Sequence, residues 1–314
     1  MPAAQIPPGV EGIVRLTELP DDDWRGRWER IVVAPGIKDR LLNYVLFSLR
    51  HRGRTSDIGL GIHGLLVLAG PPGTGKTTLA GGLADEAARV LGDGPVLFVD
   101  IDPHAFPSQL LGESQRAVSR LFERTIPDLA RRGRPVIVLV DEVESLVVNR
   151  TGASLETNPV DVHRATDAVL SGVDQVARTY PNVLFLSTTN FPSGVDPAFL
   201  SRADLIEEIG LPGPEAIATI LADTLGEVGA AADGDLKTLA EACAAAGLDA
   251  RQVRKLVVRA AASSRELALA PERLTPLDVE RALATMVSET RPAAGGGAGS
   301  PDGSTAARNG STPR

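Results

Sequence analysis

"GPPGTGKTT" (Gly70–Thr78) is the stretch on which the fold of this 314-residue chain turns. It fits G-x-x-x-x-G-K-[ST] at every required position. Glycines let backbone N–H groups fold around a chain of phosphates, and the helix that follows turns its positive N-terminus towards them. Lys76 is placed to reach the outer phosphates, and the Thr77 hydroxyl to ligate Mg2+. The expected nucleotide-binding set is Gly70, Pro71, Pro72, Gly73, Thr74, Gly75, Lys76, Thr77 and Thr78, taking ATP with Mg2+. Such a motif carries meaning only between a strand and a helix. "GLLVLAG" (64–70) is a continuous apolar run leading into it. After it, residues 76–91 set Leu79, Leu83, Ala87 and Val90 on one stripe, and Gly92 ends the helix.

Working outward, four more apolar runs read as buried strands: "PVLFVDID" (95–102), "PVIVLVD" (135–141), "NVLFLST" (182–188) and "LIEEIG" (205–210). Most are continuous rather than alternating, as in a sheet covered on both faces. Helical stripes lie between them, with Val118, Leu121, Phe122 and Thr125 in one and Ala168, Val169, Val173 and Val176 in another. The alternation predicts an α/β fold, a parallel five-stranded sheet flanked by helices. After Gly210 the strands stop. Helical segments near 214–228, 235–246, 249–269 and 276–289 predict a small all-helical lid domain. The last opens with "TPLD": Thr275 as N-cap, Pro276 at the first helical position and Asp278 as a third-position acid.

The expected layout is a disordered N-terminus over 1–12 and an N-terminal linker and helix packing on the core over 13–60. The large α/β ATPase domain follows over 61–211, then the lid over 212–290 and a disordered tail over 291–314. The tail contains no Val, Ile, Leu or Phe with which to offset ordering entropy.

Hydrophobic residues make up 43% and aromatics only 4%, so Ala, Val and Leu fill the core. A formal net charge of -8 argues against binding nucleic acid by bulk charge. Two basic runs, "RHRGR" (Arg50–Arg54) and "RRGR" (Arg131–Arg134), read as solvated helix ends. The single cysteine, Cys243, makes no intrachain disulfide and reads as a small buried helix residue. The four histidines show no ligand spacing. The first residues carry no signal pattern, and no apolar run approaches the ~18 residues that span a bilayer. A cytoplasmic protein with no membrane partner is expected.

The third strand ends in "VIVLVDEVESL", which places Asp141 and Glu142 at its tip. One carboxylate of such a pair holds the metal shell and the next orients and deprotonates water. Asp141 is therefore assigned to the metal with Thr77, and Glu142 to the water; Glu144 receives no role. The fourth strand ends in "STTN", where Asn190 falls between the two motifs and can hold the attacking water in line with the γ-phosphate. Arg202 follows in the loop before the fifth strand. From there it cannot easily reach its own nucleotide, but it can reach a neighbour's and stabilise charge on the transferring phosphoryl group. That implies a ring in which one subunit binds ATP and the next completes the site.

The phosphate loop, "LVDEVESL", "STTN", "SRAD" and the helical lid together resemble an AAA+ ATPase. Within that superfamily the chain resembles the pachytene-checkpoint ATPases, which remodel HORMA-domain proteins, and their bacterial branch in CBASS anti-phage defence. The more specific matches are "DAVLSGVDQV", "DPAFLSRADL", "GLDARQVRKL" and, ahead of the core, Trp28 with "LLNYVLFSL". The resemblance spans roughly residues 15–289 and implies a hexameric ring that hydrolyses ATP to remodel or partly unfold a HORMA-domain protein. It also implies that Arg251 is the lid arginine near the γ-phosphate, with Arg254 one turn on as the fallback. Arg164 is implied at a subunit interface. "HAFPSQLLGES" (His104–Ser114) resembles an axial pore loop, with Leu110 where relatives place an aromatic. The alternative is a nucleotide-switched DNA-associated loader, or an unfoldase for a non-HORMA substrate. The acidic balance and a pore stretch without Lys or Arg count against the loader.

Overall fold

"LLVLA" (Leu65–Ala69) is buried at all five positions, as expected of an interior strand in a sheet covered on both faces. The computed structural model describes residues 12–55, 61–106, 113–149, 159–232 and 234–290. Strand β1 (Ile13–Leu19) is followed by α1 (Asp22–Arg30), α2 (Ile37–Thr55), β2 (Leu65–Ala69), α3 (Lys76–Leu91) and β3 (Val96–Ile101). Then come α4 (Glu113–Arg120), a π-helical turn over Leu121–Thr125, α5 (Ile126–Ala130), β4 (Val136–Val140), α6 (Pro159–Thr179) and β5 (Val183–Thr189). A short α7 (Pro197–Leu200) leads to β6 (Leu205–Glu208). The lid contains α8 (Pro214–Glu227), α9 (Leu236–Ala245), α10 (Ala250–Ala261), α11 (Arg265–Leu269) and α12 (Pro276–Thr290). The tail and the first eleven residues, read as disordered, lie outside the described residues.

The sheet order is β1-β3-β4-β5-β2-β6. β2 to β6 pair in parallel, as expected. The sheet has six strands rather than five, because β1 adds to β3 antiparallel. β1 lies ahead of the strand–helix alternation from which five strands were counted, and its register shifts between Ile13 and Arg15. The bulge puts Ile13 and Leu16, three residues apart, in the same core, while regular alternation beyond it turns Leu19 to the other.

Alternate residues of each strand feed two cores. Val67, Val99, Val138 and Phe185 face α6, the π-turn and α7 through Val173, Phe122 and Phe199. Leu66, Leu68, Leu139 and Leu186 face Leu79 and Leu83 of α3 and Leu41 and Val45 of α2. A third cluster, including Ile217, Leu221, Val253, Leu256 and Val279, belongs to the lid. Cys243 is buried there, and burial pushes its thiol up to about 11. On α3 the buried face shifts by one residue in the final turn, so Val90 is exposed and Leu91 buried. The segment 249–269 divides into α10 and α11, the second capped by Ser264 Oγ, which accepts from the Leu267 N–H.

The basic runs are not simply solvated. Arg52 is buried. It donates to the carbonyls of His63 at 2.8 Å and Tyr180 at 3.0 Å, and to that of Val183. Burial pushes its pKa down. Arg134 pairs with Glu18 on β1. Both arginines meet acceptors supplied by distant strand ends, which a local charge pattern does not display.

Trp24 and Trp28, both on α1, pack against α3. A Cβ on Gly81 would lie 2.3 Å from the Trp24 ring, and one on Gly82 would lie 3.2 Å from Trp28. Two small residues on α3 thus seat α1 against the helix that leaves the phosphate loop. Trp24 has little room to retreat, since it packs edge-on against Phe98 at 6.2 Å. Gly81→Ala should therefore destabilise the protein by about 1–2 kcal/mol in urea unfolding. Overpacking costs about 1–3 kcal/mol and outweighs a helix-propensity gain of up to about 1 kcal/mol. A raised midpoint would show that α1 is not seated this way.

Candidate nucleotide site

The phosphate loop runs from the end of β2 to the start of α3. Gly70 has φ 146, and a Cβ there would lie 2.1 Å from the Ile209 carbonyl oxygen, so no other residue fits. Gly75 caps α3 in the left-handed region at φ 87. Lys76, the first residue of the helix, folds back across the loop. Its Nζ donates to the carbonyls of Gly70 and Pro71, both at 2.8 Å, and to Asn190 Oδ1 at 2.7 Å. Burial lowers its pKa, while the charges of Glu144, Asp141 and Glu142 hold it up. Thr74 Oγ1 donates to the Pro71 carbonyl at 3.0 Å and closes the loop on itself.

Asp141 and Glu142 sit at the tip of β4, beside the end of β5. Asp141 accepts from Thr77 Oγ1 at 2.9 and 3.1 Å and from Thr188 Oγ1 at 2.5 Å. The same Thr188 hydroxyl accepts from the Glu142 N–H at 3.0 Å. One buried hydroxyl therefore sets both acids. Among the described residues Glu142 is the only non-glycine with positive φ, at 50°, and held strain of this kind gathers at functional sites. Asn190 Nδ2 donates to Glu142 Oε1 at 3.0 Å. His104 Nε2 lies 3.3 Å from the other oxygen.

Glu144 was given no role from sequence, but its Oε1 accepts from the Asn190 N–H at 2.9 Å. It fixes the backbone from which the amide projects. Thr188 was also missed, although a signal was available: it lies at the end of β5, two residues before Asn190. His104 had no local signal, being 38 residues from Glu142.

A cleft of about 580 Å3 joins these groups to the lid. Pro72, Gly73, Gly75, Lys76, Thr77 and Thr78 line it from the loop, and Asp141, Glu142, Thr188 and Asn190 from the strand ends. Arg251, Arg254 and Lys255 line it from α10. Both lid arginines considered from sequence thus face the cleft, joined by a lysine. The start of α10 is fixed by a capping box between Asp249 and Gln252. A Cβ on Gly73 would lie 2.3 Å from the Asp249 carboxyl group, so the lid rests directly on the phosphate loop.

Arg202 stands apart. It precedes β6, and Asp204, two residues on, accepts from the N–H groups of His63, Gly64 and Leu65 at the start of β2. Gly70 follows the other end of β2, so Arg202 lies at the opposite end of these parallel strands from the phosphate loop. Arg164 is exposed on α6. Leu110, Leu111 and Gly112 of the pore-loop reading lie outside the described residues.

The residues fit a nucleotide polyphosphate with a divalent metal. Gly73 and Gly75 bring no side chain to the cleft, and Arg251, Arg254 and Lys255 line it from the lid. Among the described residues no three His, Cys, Asp or Glu side chains gather to hold a metal alone. Asp141 and Thr77 suit Mg2+, which takes one or two protein oxygens and the rest from phosphate and water.

Comparison with known proteins agrees. The model of the ATPase family associated with various cellular activities (AAA) matches residues 66–211. CD-NTase-associated protein 6 of Pseudomonas aeruginosa is 42% identical over 271 residues, covering 84% of this chain and 89% of that protein. The chain belongs to the AAA ATPase family. The pachytene checkpoint protein 2 homolog of Danio rerio is 37% identical over 213 residues, 67% of this chain and 50% of the relative. This AAA ATPase therefore spans about half the length of that relative. Caenorhabditis elegans PCH-2 superposes with a TM-score of 0.70 at 27% identity, over 88% of this chain and 76% of that one. A chain of the Escherichia coli MS115-1 HORMA:CdnC:Trip13 complex gives 0.75 at 21% identity, over 90% and 98% respectively, and shows the same fold. Among the described residues no helix of this AAA ATPase is long and apolar enough to cross a membrane.

Proposed function

We propose that this AAA ATPase is a ring-forming, cytoplasmic enzyme that hydrolyses ATP to ADP and phosphate. It uses the cycle to partly unfold a HORMA-domain protein in CBASS-type anti-phage signalling. The observation that carries this reading is the near full-length match to CD-NTase-associated protein 6. The fold shared with a chain of a HORMA:CdnC:Trip13 complex supports it.

In this reading the loop amides and Lys76 bind the triphosphate of ATP. Thr77 and Asp141 hold Mg2+, which supplies a Lewis acid beside the phosphates. Glu142 takes the proton of the reacting water, with its backbone set by Thr188 and its carboxylate steered by Asn190 Nδ2. Arg251 reaches in from the lid, so nucleotide binding and lid position are coupled. Arg202 serves the adjacent subunit of a hexamer. The net charge of -8 disfavours the DNA-loader reading.

The test is a substrate trap. Tagged Glu142→Gln protein is expressed in its native cell and purified with ATP, and what stays bound is identified by mass spectrometry. An enriched HORMA-fold protein, missing from a Lys76→Ala control, is the expected result. Nuclease-sensitive DNA with replication or recombination factors would overturn the reading in favour of a loader.

A further inference from the structure

The Arg202 guanidinium is held by more than its own backbone. Its Nε donates to Asp174 Oδ1 at 2.8 Å and its Nη2 to Oδ2 at 2.9 Å, while Nη1 donates to the Ala198 carbonyl at 2.5 Å. We infer that Asp174 is a positioning residue that aims Arg202 at the nucleotide of the neighbouring subunit. The inference rests on the reading of Arg202 as a residue acting in trans.

A guanidinium carries five N–H donors in a rigid fork. Three are used here. The carboxylate grips the side formed by Nε and Nη2 and the Ala198 carbonyl takes one Nη1 hydrogen, which leaves one N–H on each terminal nitrogen. Two donors on adjacent nitrogens of one planar group suit two oxygens of a phosphoryl group. The pair is reachable from outside, with side-chain exposures of 24% for Arg202 and 26% for Asp174.

Asp174 is itself fixed. It projects from α6 next to Val173, which is buried in the core, and Val176 is buried one turn further on. Gly172 lets the same stretch of helix close on Phe122: a Cβ there would lie 2.4 Å from that ring. The loop carrying Arg202 is pinned on both sides, by Asp196 capping α7 and by Asp204 at the start of β2. Arg202 in turn holds the Asp174 carboxyl below the usual carboxylate range, with smaller help from His63 and Arg178. An anion beside a phosphate-seeking arginine weakens its charge, so the benefit lies in orientation: a flexible side chain is presented in one geometry before the neighbour arrives.

The test uses the full chain in its assembled form. Arg202→Ala should lower kcat by about 10³-fold or more, the range for an arginine supplied in trans. Asp174→Ala should lower kcat by about 10–100-fold, the cost of misplacing a reacting group by an ångström, with KM for ATP and Tm unchanged. Asp174→Asn, which keeps one acceptor, should fall between, and it serves if the alanine variant folds poorly. In the Arg202→Ala background, Asp174→Ala should add nothing. Mixing supplies the decisive readout. Asp174→Ala rings lack an aimed arginine at every site, and Glu142→Gln rings lack the base. Mixed rings should regain turnover above either parent, because an Asp174→Ala subunit with an intact Glu142 receives Arg202 from a Glu142→Gln neighbour. Wild-type kcat in Asp174→Ala, a loss that tracks a lowered Tm, or no recovery on mixing would each overturn the inference while leaving Arg202 in place. Wild-type kcat in Arg202→Ala would instead overturn the reading beneath it.

Discussion

Glu142→Gln should lower ATP turnover by about 10²–10⁴-fold, the usual contribution of a positioned general base, while nucleotide affinity stays near wild type. The side chain is close to isosteric, so the cleft keeps its shape. Asn190 Nδ2 can still donate to the remaining oxygen, as it does at 3.0 Å to Glu142 Oε1. The strained backbone at φ 50 is held by the Thr188 hydroxyl through the Glu142 N–H, which the substitution leaves in place. What is lost is the ability to accept a proton. Single-turnover hydrolysis and a fluorescent-nucleotide titration separate the two effects. A variant that binds normally and turns over at wild-type rate would remove Glu142 from the chemistry, and the acid beside it would need a different account.

The parts of this site that were legible in the sequence are those whose spacing is set by a single closed loop or a single strand end. Gly70 to Thr78 must occur in that order for a loop to wrap phosphates, and Asp141-Glu142 must end an apolar strand. Asn190 was legible because the strand before it is apolar and the residue itself is not. The supporting contacts were hidden because each joins distant parts of the chain. Glu144 meets the Asn190 backbone 46 residues away, and His104 reaches Glu142 from the turn after β3, 38 residues earlier. Arg251 and Arg254 could not be separated by pattern, since three residues along a helix returns nearly to the same face, and both line the cleft. β1 was left out of the count because it lies ahead of the strand–helix alternation and pairs antiparallel, and Arg52 was hidden because its carbonyl partners, on His63 and on the nearby Tyr180 and Val183, lie further along the chain.

The fold gathers binding groups and hydrolytic groups on different elements, which makes them separable by mutation. α3 carries Lys76 and Thr77; Asp141, Glu142 and Asn190 follow the ends of β4 and β5. Asn190 bridges them, accepting from Lys76 through Oδ1 and donating to Glu142 through Nδ2. A change at Asn190 should disturb both sides, whereas changes at the two ends should be cleanly different.

Lys76→Ala is the second of those ends and should abolish useful nucleotide binding. Hydrogen bonds to a charged group contribute about 1.5–3 kcal/mol, or roughly 10–150-fold in affinity. The electrostatics add to this. Glu144, Asp141 and Glu142 all act on the ammonium, and without it they face the incoming phosphates uncompensated. The loop loses as well, since the carbonyls of Gly70 and Pro71 lose the donor that pulls them together at 2.8 Å each. Lys76→Met keeps most of the side-chain volume and should fail to the same degree, which distinguishes loss of charge from loss of packing. Thermal protection gives a simple readout. At a nucleotide concentration about 100 times the wild-type Kd, bound ligand stabilises the wild type by about 2.7 kcal/mol. A variant weakened about 100-fold gains only about 0.4 kcal/mol under the same conditions. Lys76→Ala protected as strongly as the wild type would show that the phosphates lie elsewhere. Protection lost in Lys76→Ala but kept in Glu142→Gln would place binding at the head of α3 and turnover at the tip of β4.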